Sequence, residues 1–423
     1  MLRKSKSIAF PGLGVFLFLA VLGNASTFKV IYSFGARGPS DAASPYAPLT
    51  KDTLGNLYGT TPVGGVYGTG TVFALVPGSN GTWKEKILHS FTNGTDGGYP
   101  MAGVILDTAG NIYGTTQQGG IESSNCGSGS CGVVFELVKA SNWQENVLYS
   151  FTGNEDGSGS VAPLLFDSAG NIYGTAEGGG TFVGCYFGCG VAFELEKSSS
   201  GWTEKVLHTF TDWPTDGSYP TAGFIWDGVD LLGTTRSGGV GPCCGGYDGG
   251  TIFQLSPNAD GSWIETLFYT FCAKADCADG TMPWGGVVLT KGNMFGTTSN
   301  GGSMGYGVLY ERLTGGSTMT RLSFGGAGGQ SPIGPIVLGQ GAVYGVTQEG
   351  GSTTGTCPPF QGGNGVVYKL APQVGETVLH SFTGGADGCI PQANLIADAS
   401  GHLYGTTQLG GKFGAGVVFE VIP

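Results

Sequence analysis

The apolar positions of this chain fall into short runs, each bounded by glycine, aspartate, asparagine or serine. Four such runs, rich in β-branched and aromatic residues, lie at residues 102–107, 111–116, 133–138 and 143–151. The segment Thr108-Ala109-Gly110 between the first two is typical of a tight hairpin. No segment has a convincing helical period. The pattern therefore predicts four β-strands, which we name a, b, c and d in chain order.

This four-strand unit recurs along the whole chain. The segment NLYGTT at residues 56–61 returns with small changes at residues 111, 171, 230, 293, 342 and 402, and a glycine pair follows every copy. The central glycines are 49 to 63 residues apart, about 58 on average. These glycines are Gly59, Gly114, Gly174, Gly233, Gly296, Gly345 and Gly405. Seven units of four antiparallel strands predict an all-β, seven-bladed β-propeller.

The two ends of the repeat are offset from the ends of a blade. Within residues 28–34, the segment KVIYSF at residues 29–34 matches strand d of later units, and the last unit stops after a strand c at residues 417–422. We therefore expect the N-terminal strand to complete the C-terminal blade and close the ring, which leaves no exposed sheet edge. A β-solenoid or a split sandwich is the alternative, but an open solenoid would not need the offset.

The N-terminal residues have the features of an export signal. Arg3, Lys4 and Lys6 precede an apolar run from Ile8 to Leu22, and small residues follow up to Ala25. The run is shorter than the roughly 20 residues that span a bilayer, which argues against the alternative of a membrane anchor. We predict a signal peptide at residues 1–25, a single propeller domain at 26–423, and a periplasmic or extracellular location.

Composition and charge narrow the possible partners. Glycine contributes 83 residues and charged residues only 11%, but 40% hydrophobic content gives enough apolar surface for a packed core. The formal net charge of −12 becomes −15 when the three positive charges of residues 1–25 are removed. Such a chain should repel nucleic acid and anionic lipids. We therefore expect no nucleic-acid partner and no transmembrane segment in the mature chain.

Ten cysteines in an exported chain indicate disulfides. All fall in the b-to-c or d-to-a connections, which emerge on one face of the disc because the strands alternate in direction. They are Cys126, Cys131, Cys185, Cys189, Cys243, Cys244, Cys272, Cys277, Cys357 and Cys389. Local pairing is expected. For the adjacent pair Cys243 and Cys244, a strained vicinal bridge and two free thiols both remain open, since their Cα atoms lie only about 3.8 Å apart.

The repeated words NLYGTT, GG, GTVF, SFT and DG resemble the Gloeo-Verruco tandem repeat of bacterial exported proteins. The resemblance covers essentially all of residues 28–423. It implies export and a repeat architecture, and it supplies no catalytic motif. The glycine pair and the tryptophan that opens several d strands also look like kelch repeats, although the spacing differs. These tryptophans are Trp83, Trp143, Trp202 and Trp263.

Candidate binding residues lie in the variable loops that carry the cysteines, because variable loops on a rigid scaffold usually hold binding sites. The candidates are Tyr186, Phe187, Trp213, Tyr247 and Trp284. A second set repeats Asp-Gly in the d-to-a loops, at Asp96, Asp156, Asp216, Asp279 and Asp387. Such carboxylates are weak candidates for Ca²⁺ ligands, but Asp-Gly is a favoured turn pair and we interpret them as turns. Neither a metal site nor a cofactor is predicted.

Three hypotheses for function follow. The preferred one is a binding protein for a glycan or a surface protein, which uses the cysteine-bearing face. The second is a polysaccharide lyase or glycosidase, which would need two facing carboxylates. Non-repeated acids are where that chemistry would be sought: Glu122, Glu155, Glu177 and Glu349. The third is a structural envelope protein. The sequence leans away from an enzyme, and the fold alone cannot choose among the three.

Overall fold

The computed structural model describes residues 26–127, 129–181, 184–212, 214–239, 249–353, 357, 362–372 and 374–423. These residues form seven antiparallel sheets with the strand order a-b-c-d, and each sheet is a blade of a β-propeller. Blade 1 comprises Thr50–Lys51, Leu57–Thr61, Thr71–Pro77 and Trp83–Ser90, and blade 2 comprises Ile105–Leu106, Ile112–Thr115, Val133–Val138 and Gln144–Ser150. Blade 3 comprises Leu165–Phe166, Ile172–Ala176, Val191–Ser198 and Gly201–Thr209, and blade 4 comprises Ile225–Asp227, Asp230–Thr235, Thr251–Pro257 and Trp263–Thr270. Blade 5 comprises Val288–Thr290, Asn293–Thr298, Val308–Arg312 and Thr318–Ser323. Blade 6 comprises Val337–Gly339, Ala342–Thr347, Val366–Ala371 and Gly375–Ser381. Blade 7 comprises Ile396–Ala397, Leu403–Thr407, Val417–Ile422 and Thr27–Ser33.

The ring closes as the sequence predicts. Strand Thr27–Ser33 pairs antiparallel with Val417–Ile422, so that Thr27 lies opposite Ile422 and Ser33 opposite Val417. The first described strand of the chain is therefore strand d of blade 7. Closure covers the outer edge of the last strand c, which would otherwise offer unpaired backbone groups to another chain. Both the fold class and the offset between repeat and blade are confirmed.

Strand a is shorter than its sequence pattern predicts. In blade 2 it comprises Ile105–Leu106 and not the whole of residues 102–107. The carbonyl of Ala102 instead accepts a hydrogen bond of 2.8 Å from the hydroxyl of Thr60 in blade 1. The first threonine of the repeated GTT words makes the equivalent bond to the next blade in three further blades, from Thr175, Thr234 and Thr297. Thr115 also bonds to the next blade, but to the carbonyl of Ser160, two residues earlier. This threonine links successive blades. The segment before strand a therefore bonds to the preceding blade and is not part of the sheet of its own blade.

Each blade packs an aromatic ring of strand c against the glycine of strand b. Gly114 lies directly opposite Phe135, and Phe135 is fully buried. The same pairing occurs in all seven blades, with Phe73, Phe193, Phe253, Tyr310, Tyr368 and Phe419 as the other rings. The repeated glycine is therefore needed because it leaves room for a ring.

Blades pack on one another through a second aromatic residue, the phenylalanine that directly follows strand d. Phe91 of blade 1 lies edge-on to Phe135 of blade 2, with ring centroids 5.2 Å apart. An equivalent contact occurs at every blade junction, made by Phe34, Phe151, Phe210, Phe271, Phe324 and Phe382. The core thus consists of seven clusters, one at each junction, in which the aromatic residue of each SF or TF word contacts the next blade.

The remaining elements are short. Two-residue ladders join Ala42–Ala43 to Val63–Gly64 and Gly217–Ser218 to Ser237–Gly238. Among the described residues, 3-10 turns occur at Gly38–Ser40, Lys139–Ser141, Ala275–Cys277 and Gly326–Gly328. Within the part of the chain that the structure describes, no helix has the length and hydrophobicity needed to cross a membrane.

Candidate functional site

The b-to-c and d-to-a connections form one face of the disc, which we call the loop face. Four disulfides lie there, joining Cys126 to Cys131, Cys185 to Cys189, Cys272 to Cys277 and Cys357 to Cys389. The first three close short loops, and the fourth ties the b-to-c loop of blade 6 to the connection that follows the same blade. Cys243 and Cys244 lie outside the described residues. Each disulfide closes a loop and so restricts the conformations open to the glycine-rich connections of this face.

A channel of about 540 Å³ opens at the centre of the ring and is lined by residues from all seven blades. In each blade the segment just before strand a contributes to the lining, and one equivalent position of it is occupied by a different residue in every blade. These side chains are Tyr46, Met101, Val161, Thr221, Trp284, Ile333 and Gln392. They differ from blade to blade although the surrounding framework repeats. These seven side chains therefore break the sevenfold symmetry of the repeated blades.

A left-handed backbone residue directs each of these side chains into the channel. It lies two positions earlier in every blade, with φ between 53° and 63°. The seven residues are Ser44, Tyr99, Gly159, Tyr219, Met282, Ser331 and Ile390. Six of them carry a side chain, for which this conformation is uncommon. The backbone N–H of each bonds to a carbonyl of a neighbouring b-to-c loop, such as that of Cys189 for Tyr219 at 2.8 Å. The loop face thus fixes the channel lining.

An ion pair lies at the mouth of the channel. Glu177 directly follows strand b of blade 3, Arg236 directly follows strand b of blade 4, and their side chains approach to 3.5 Å. Burial raises the pKa of Glu177, and the charge of Arg236 opposes this shift. Equivalent positions in the other blades hold Pro62, Gln117, Ser299, Gln348 and Gln408. Charged side chains thus occupy this position in blades 3 and 4, where their charges are opposite, and uncharged residues occupy it in the other blades.

Arg236 is also held between two aromatic rings. Its guanidinium carbon lies 5.1 Å from the ring centre of Tyr219 and 4.7 Å from that of Trp284. Its backbone N–H donates to the carbonyl of Tyr219 at 3.1 Å. Stacking of this kind orients the planar guanidinium and leaves its edge available for hydrogen bonds.

Tyr46 belongs to the same lining and responds to the same charges. Burial raises the pKa of Tyr46, the negative charge of Glu177 adds to that shift, and Arg236 opposes it. Amide groups lie nearby, where Gln392 donates to Gln408 at 2.6 Å. The channel mouth thus combines aromatic surfaces with a guanidinium, a carboxylate and amides, the mixture that fixes the orientation of a polar ligand.

A groove of about 280 Å³ extends from this mouth over blades 2 and 3. It shares Gln117, Glu177 and Tyr219 with the channel region and reaches the loop closed by Cys126 and Cys131. Phe187 forms part of its wall. The channel and the groove therefore adjoin each other at Gln117 and Glu177.

The structure separates the five aromatic residues chosen from the sequence. Trp284 lines the channel, Phe187 lines the groove, and Tyr186 lies edge-on to Phe187 with 86% of its surface exposed. Trp213 and Tyr247 lie outside the described residues. Sequence reasoning missed Tyr46, Tyr219 and Arg236. The position directly after each GTT word, which varies while its neighbours repeat, was the available signal for Arg236.

The four non-repeated acids do not converge on one place. Glu177 is in the channel, whereas Glu155 lines a separate pocket beside Tyr149 and Asp156. Glu122 is exposed on its loop, and Glu349 pairs through its backbone with Gln330. Among the described channel-lining residues Glu177 is the single carboxylate. This part of the lining therefore lacks the facing pair that glycoside hydrolysis uses.

The repeated Asp-Gly aspartates accept hydrogen bonds from the backbone of their own loops. Asp96 accepts from the N–H of Thr92 at 2.8 Å, and Asp216 from that of Thr211 at 2.9 Å. Asp156, Asp279 and Asp387 make equivalent bonds. Each of the five also faces a histidine or tyrosine of the preceding strand d: His89, Tyr149, His208, Tyr269 or His380. The aspartates thus stabilise the turns, and their side chains lie at the junctions between blades.

Propellers of known structure resemble this chain. Virginiamycin B lyase from Staphylococcus aureus is similar with a TM-score of 0.55 and 12% identity, over 94% of this chain and 100% of that one. The extracellular domain of a proposed one-component system from B. thetaiotaomicron is similar with a TM-score of 0.53 and 11% identity, over 92% of this chain and 39% of that one. At these identities the likeness concerns the fold alone. No curated protein matches the sequence.

A family match carries more weight because it covers nearly the whole chain. The sequence model of the Gloeobacter/Verrucomicrobia repeat matches residues 14–245 and 243–423. The two matched ranges together cover all seven blades. This chain therefore belongs to the Gloeobacter/Verrucomicrobia repeat family.

Proposed function

We propose that this propeller is an extracytoplasmic glycan-binding protein whose ligand lies at the mouth of the central channel. The observation that carries the proposal is Arg236, held between Tyr219 and Trp284 beside Glu177. Sugars present apolar ring faces bordered by hydroxyl groups. Flat aromatic rings beside donors and acceptors of fixed orientation complement both parts of such a ligand.

Charge favours a neutral glycan over an acidic one. Arg236 is already paired with Glu177, so the described lining offers no excess of positive charge at this point. The chain as a whole has a formal net charge of −12, which repels polyanions at long range. The amides of Gln117, Gln392 and Asn394 complete a neutral, hydrogen-bonding lining. An uncharged oligosaccharide fits these conditions.

Export is supported by chemistry on the loop face. Four structural disulfides are typical of proteins in an oxidising compartment. The signal peptide predicted at residues 1–25 lies outside the described residues and stays a prediction. A glycan-binding role at the cell surface or in the periplasm is consistent with both.

A surface protein is the second candidate ligand, favoured by one observation. The b-to-c loops carry large apolar side chains that are 42% to 86% exposed: Val66, Tyr67, Ile121, Tyr186, Phe187, Met304, Tyr306 and Phe413. Exposed aromatic residues on loops are common in protein interfaces. They lie outside the central channel, and of these residues Phe187 lines the adjoining groove. The channel mouth and the b-to-c loops thus offer two different parts of the same face.

A glycan array probed with the oxidised protein is the first experiment, with a parallel assay for release of reducing ends from any polysaccharide that binds. We expect saturable binding to neutral glycans without release. Release of reducing ends would instead establish the lyase or glycosidase hypothesis. Absence of binding to every glycan would contradict the proposal and favour a protein ligand or a structural role.

A further inference from the structure

We propose that two junctions between blades are binding sites for a divalent transition metal of the zinc type. The first is formed by His89, Asp96 and Glu145 and the second by His208, Asp216 and Glu265. In each set the histidine is on strand d, the aspartate is in the loop that follows, and the glutamate is on strand d of the next blade. This inference is independent of the proposed glycan site.

The spacing of the ligand atoms suits a tetrahedral ion. Zinc binds histidine nitrogen and carboxylate oxygen at about 2.0–2.2 Å, which places the ligand atoms about 3.3–3.5 Å apart. His208 Nε2 lies 3.1 Å from Asp216 Oδ2 and 3.8 Å from Glu265 Oε2. In the first site the corresponding distances from His89 are 3.5 and 3.8 Å. Each set can therefore close around one ion with small side-chain movements, and water would supply the fourth ligand.

The first site contains a buried nitrogen that the protein itself does not satisfy. His89 Nε2 is buried and has no hydrogen-bond partner among the described residues. It points towards Asp96 and Glu145, whose oxygens are at or beyond the outer limit of a hydrogen bond. A buried, unpaired imidazole nitrogen between two carboxyl groups needs a proton or a metal ion to be satisfied.

The aspartates are already oriented as metal ligands usually are. Asp216 accepts backbone N–H groups from Thr211 at 2.9 Å and from Gly217 at 2.6 Å. A carboxylate oxygen can accept more than one bond, so these contacts leave room for an ion. Hydrogen bonds of this kind fix the direction of a ligating carboxylate. The histidines are about one-fifth exposed, which gives an ion access from solvent.

Another junction shows that a cation fits between this aspartate and this glutamate. Where blade 7 meets blade 1, the corresponding residues are Tyr32, Asp41 and Glu85. The guanidinium of Arg37 lies between the two carboxyl groups and bonds to both. No lysine or arginine of the described residues forms an ion pair with the carboxyl groups of the two histidine sites. Those two junctions hold the same pair of carboxyl groups with an imidazole in place of a resident cation.

The third histidine of the series provides a natural control. His380 pairs with Asp387 at 3.0 Å, but the position of the glutamate is occupied by Phe28, whose ring stacks on His380 with centroids 3.6 Å apart. Two ligands and a covering ring do not make a zinc site. His380 should therefore not contribute to metal binding.

The experiment is a zinc titration of the untagged, oxidised, EDTA-treated protein by calorimetry, with bound metal counted after dialysis. We expect two Zn²⁺ per chain, one after His208→Tyr, and none after His89→Tyr combined with His208→Tyr. Tyrosine is the matched replacement because Tyr149 and Tyr269 occupy this position in other blades. His380→Tyr should keep both ions. Zinc should raise the melting temperature of the unmodified protein and leave that of the double variant unchanged.

Two results would overturn the inference. One is the absence of saturable zinc binding to a protein that is folded by circular dichroism. The other is equal binding by the double variant. Co²⁺ spectra distinguish the sources in the second case, because thiolate ligands from Cys243 and Cys244 produce intense charge-transfer bands that nitrogen and oxygen ligands lack.

Discussion

Gly114 and Phe135 lie directly opposite each other in blade 2, and the absence of a side chain at Gly114 is what admits the ring of Phe135. A Cβ atom at Gly114 would lie 2.7 Å from Cζ of Phe135 and 3.2 Å from a methyl of Val104. The pairing recurs in seven blades, so one steric relationship accounts for the most regular feature of the sequence. It also makes the strand-b glycine a test of the packing described here.

Gly114→Ala should lower the free energy of unfolding by about 1–3 kcal/mol, because the added methyl overpacks a site with no spare volume. Urea denaturation followed by tryptophan fluorescence measures the change. Gly339→Ala is the control, since a Cβ there would approach only the edge of Tyr344, at 3.9 Å. Equal stability of the Gly114 variant and the unmodified protein would show that the ring has room to move.

Phe91→Ala should cost more, about 3–5 kcal/mol, because it removes a fully buried ring from the junction of blades 1 and 2. The midpoint of urea unfolding should fall accordingly. Val147→Ala, at a side chain that is 40% exposed, should change stability by no more than about 0.5 kcal/mol. A loss for Phe91→Ala no larger than that of the control would contradict the role of these rings in holding blades together.

Trp284→Ala should weaken glycan binding by about 10-fold or more, the effect typical of a central aromatic contact. Titration of the glycan identified on the array gives the affinity. Tyr67→Ala changes an exposed aromatic of the same face outside the channel and should leave glycan affinity unchanged. The reverse result, with Tyr67→Ala weakening binding and Trp284→Ala silent, would move the ligand to the b-to-c loops.

Glu204 should make the protein less stable as pH rises through neutrality. Burial, assisted by the charge of Asp156, raises the pKa of Glu204 to about 7. Tyr149, which donates to Asp156 at 3.0 Å, faces the same junction. Because the folded-state pKa lies above the unfolded one, the native state binds the proton more tightly. The resulting stabilisation is complete below about pH 4.5 and is lost as pH passes 7.

Urea midpoints at pH 5 and pH 8 test this directly. Glu204→Gln should reduce the loss of stability between the two values, whereas Glu196→Gln, at an exposed position of the same blade, should not. An unchanged pH dependence in the Glu204 variant would assign the effect to other groups.

The sequence by itself determined the seven units, the four strands in each, and the closure of the ring by residues near the N-terminus. These features depend on residues close in the chain: turn glycines, alternating apolar runs, and a strand d that precedes the first unit and is missing from the last. The resemblance of the repeated words to a known family also depends on residues close in the chain, and the family match confirmed it. Even here, strand a was predicted too long, because hydrogen bonds to the preceding blade are not encoded in its own pattern.

Only the tertiary structure decided which side chains meet. Arg236, Tyr219 and Trp284 come from different connections, and their contact depends on how blades 3, 4 and 5 turn towards the common axis. The histidine sites likewise join residues of successive repeats. A repeat specifies the inside of its own blade, where neighbours in the chain pack together. Contacts between blades depend on the angle at which one sheet packs on the next, and that angle is set by the whole closed ring.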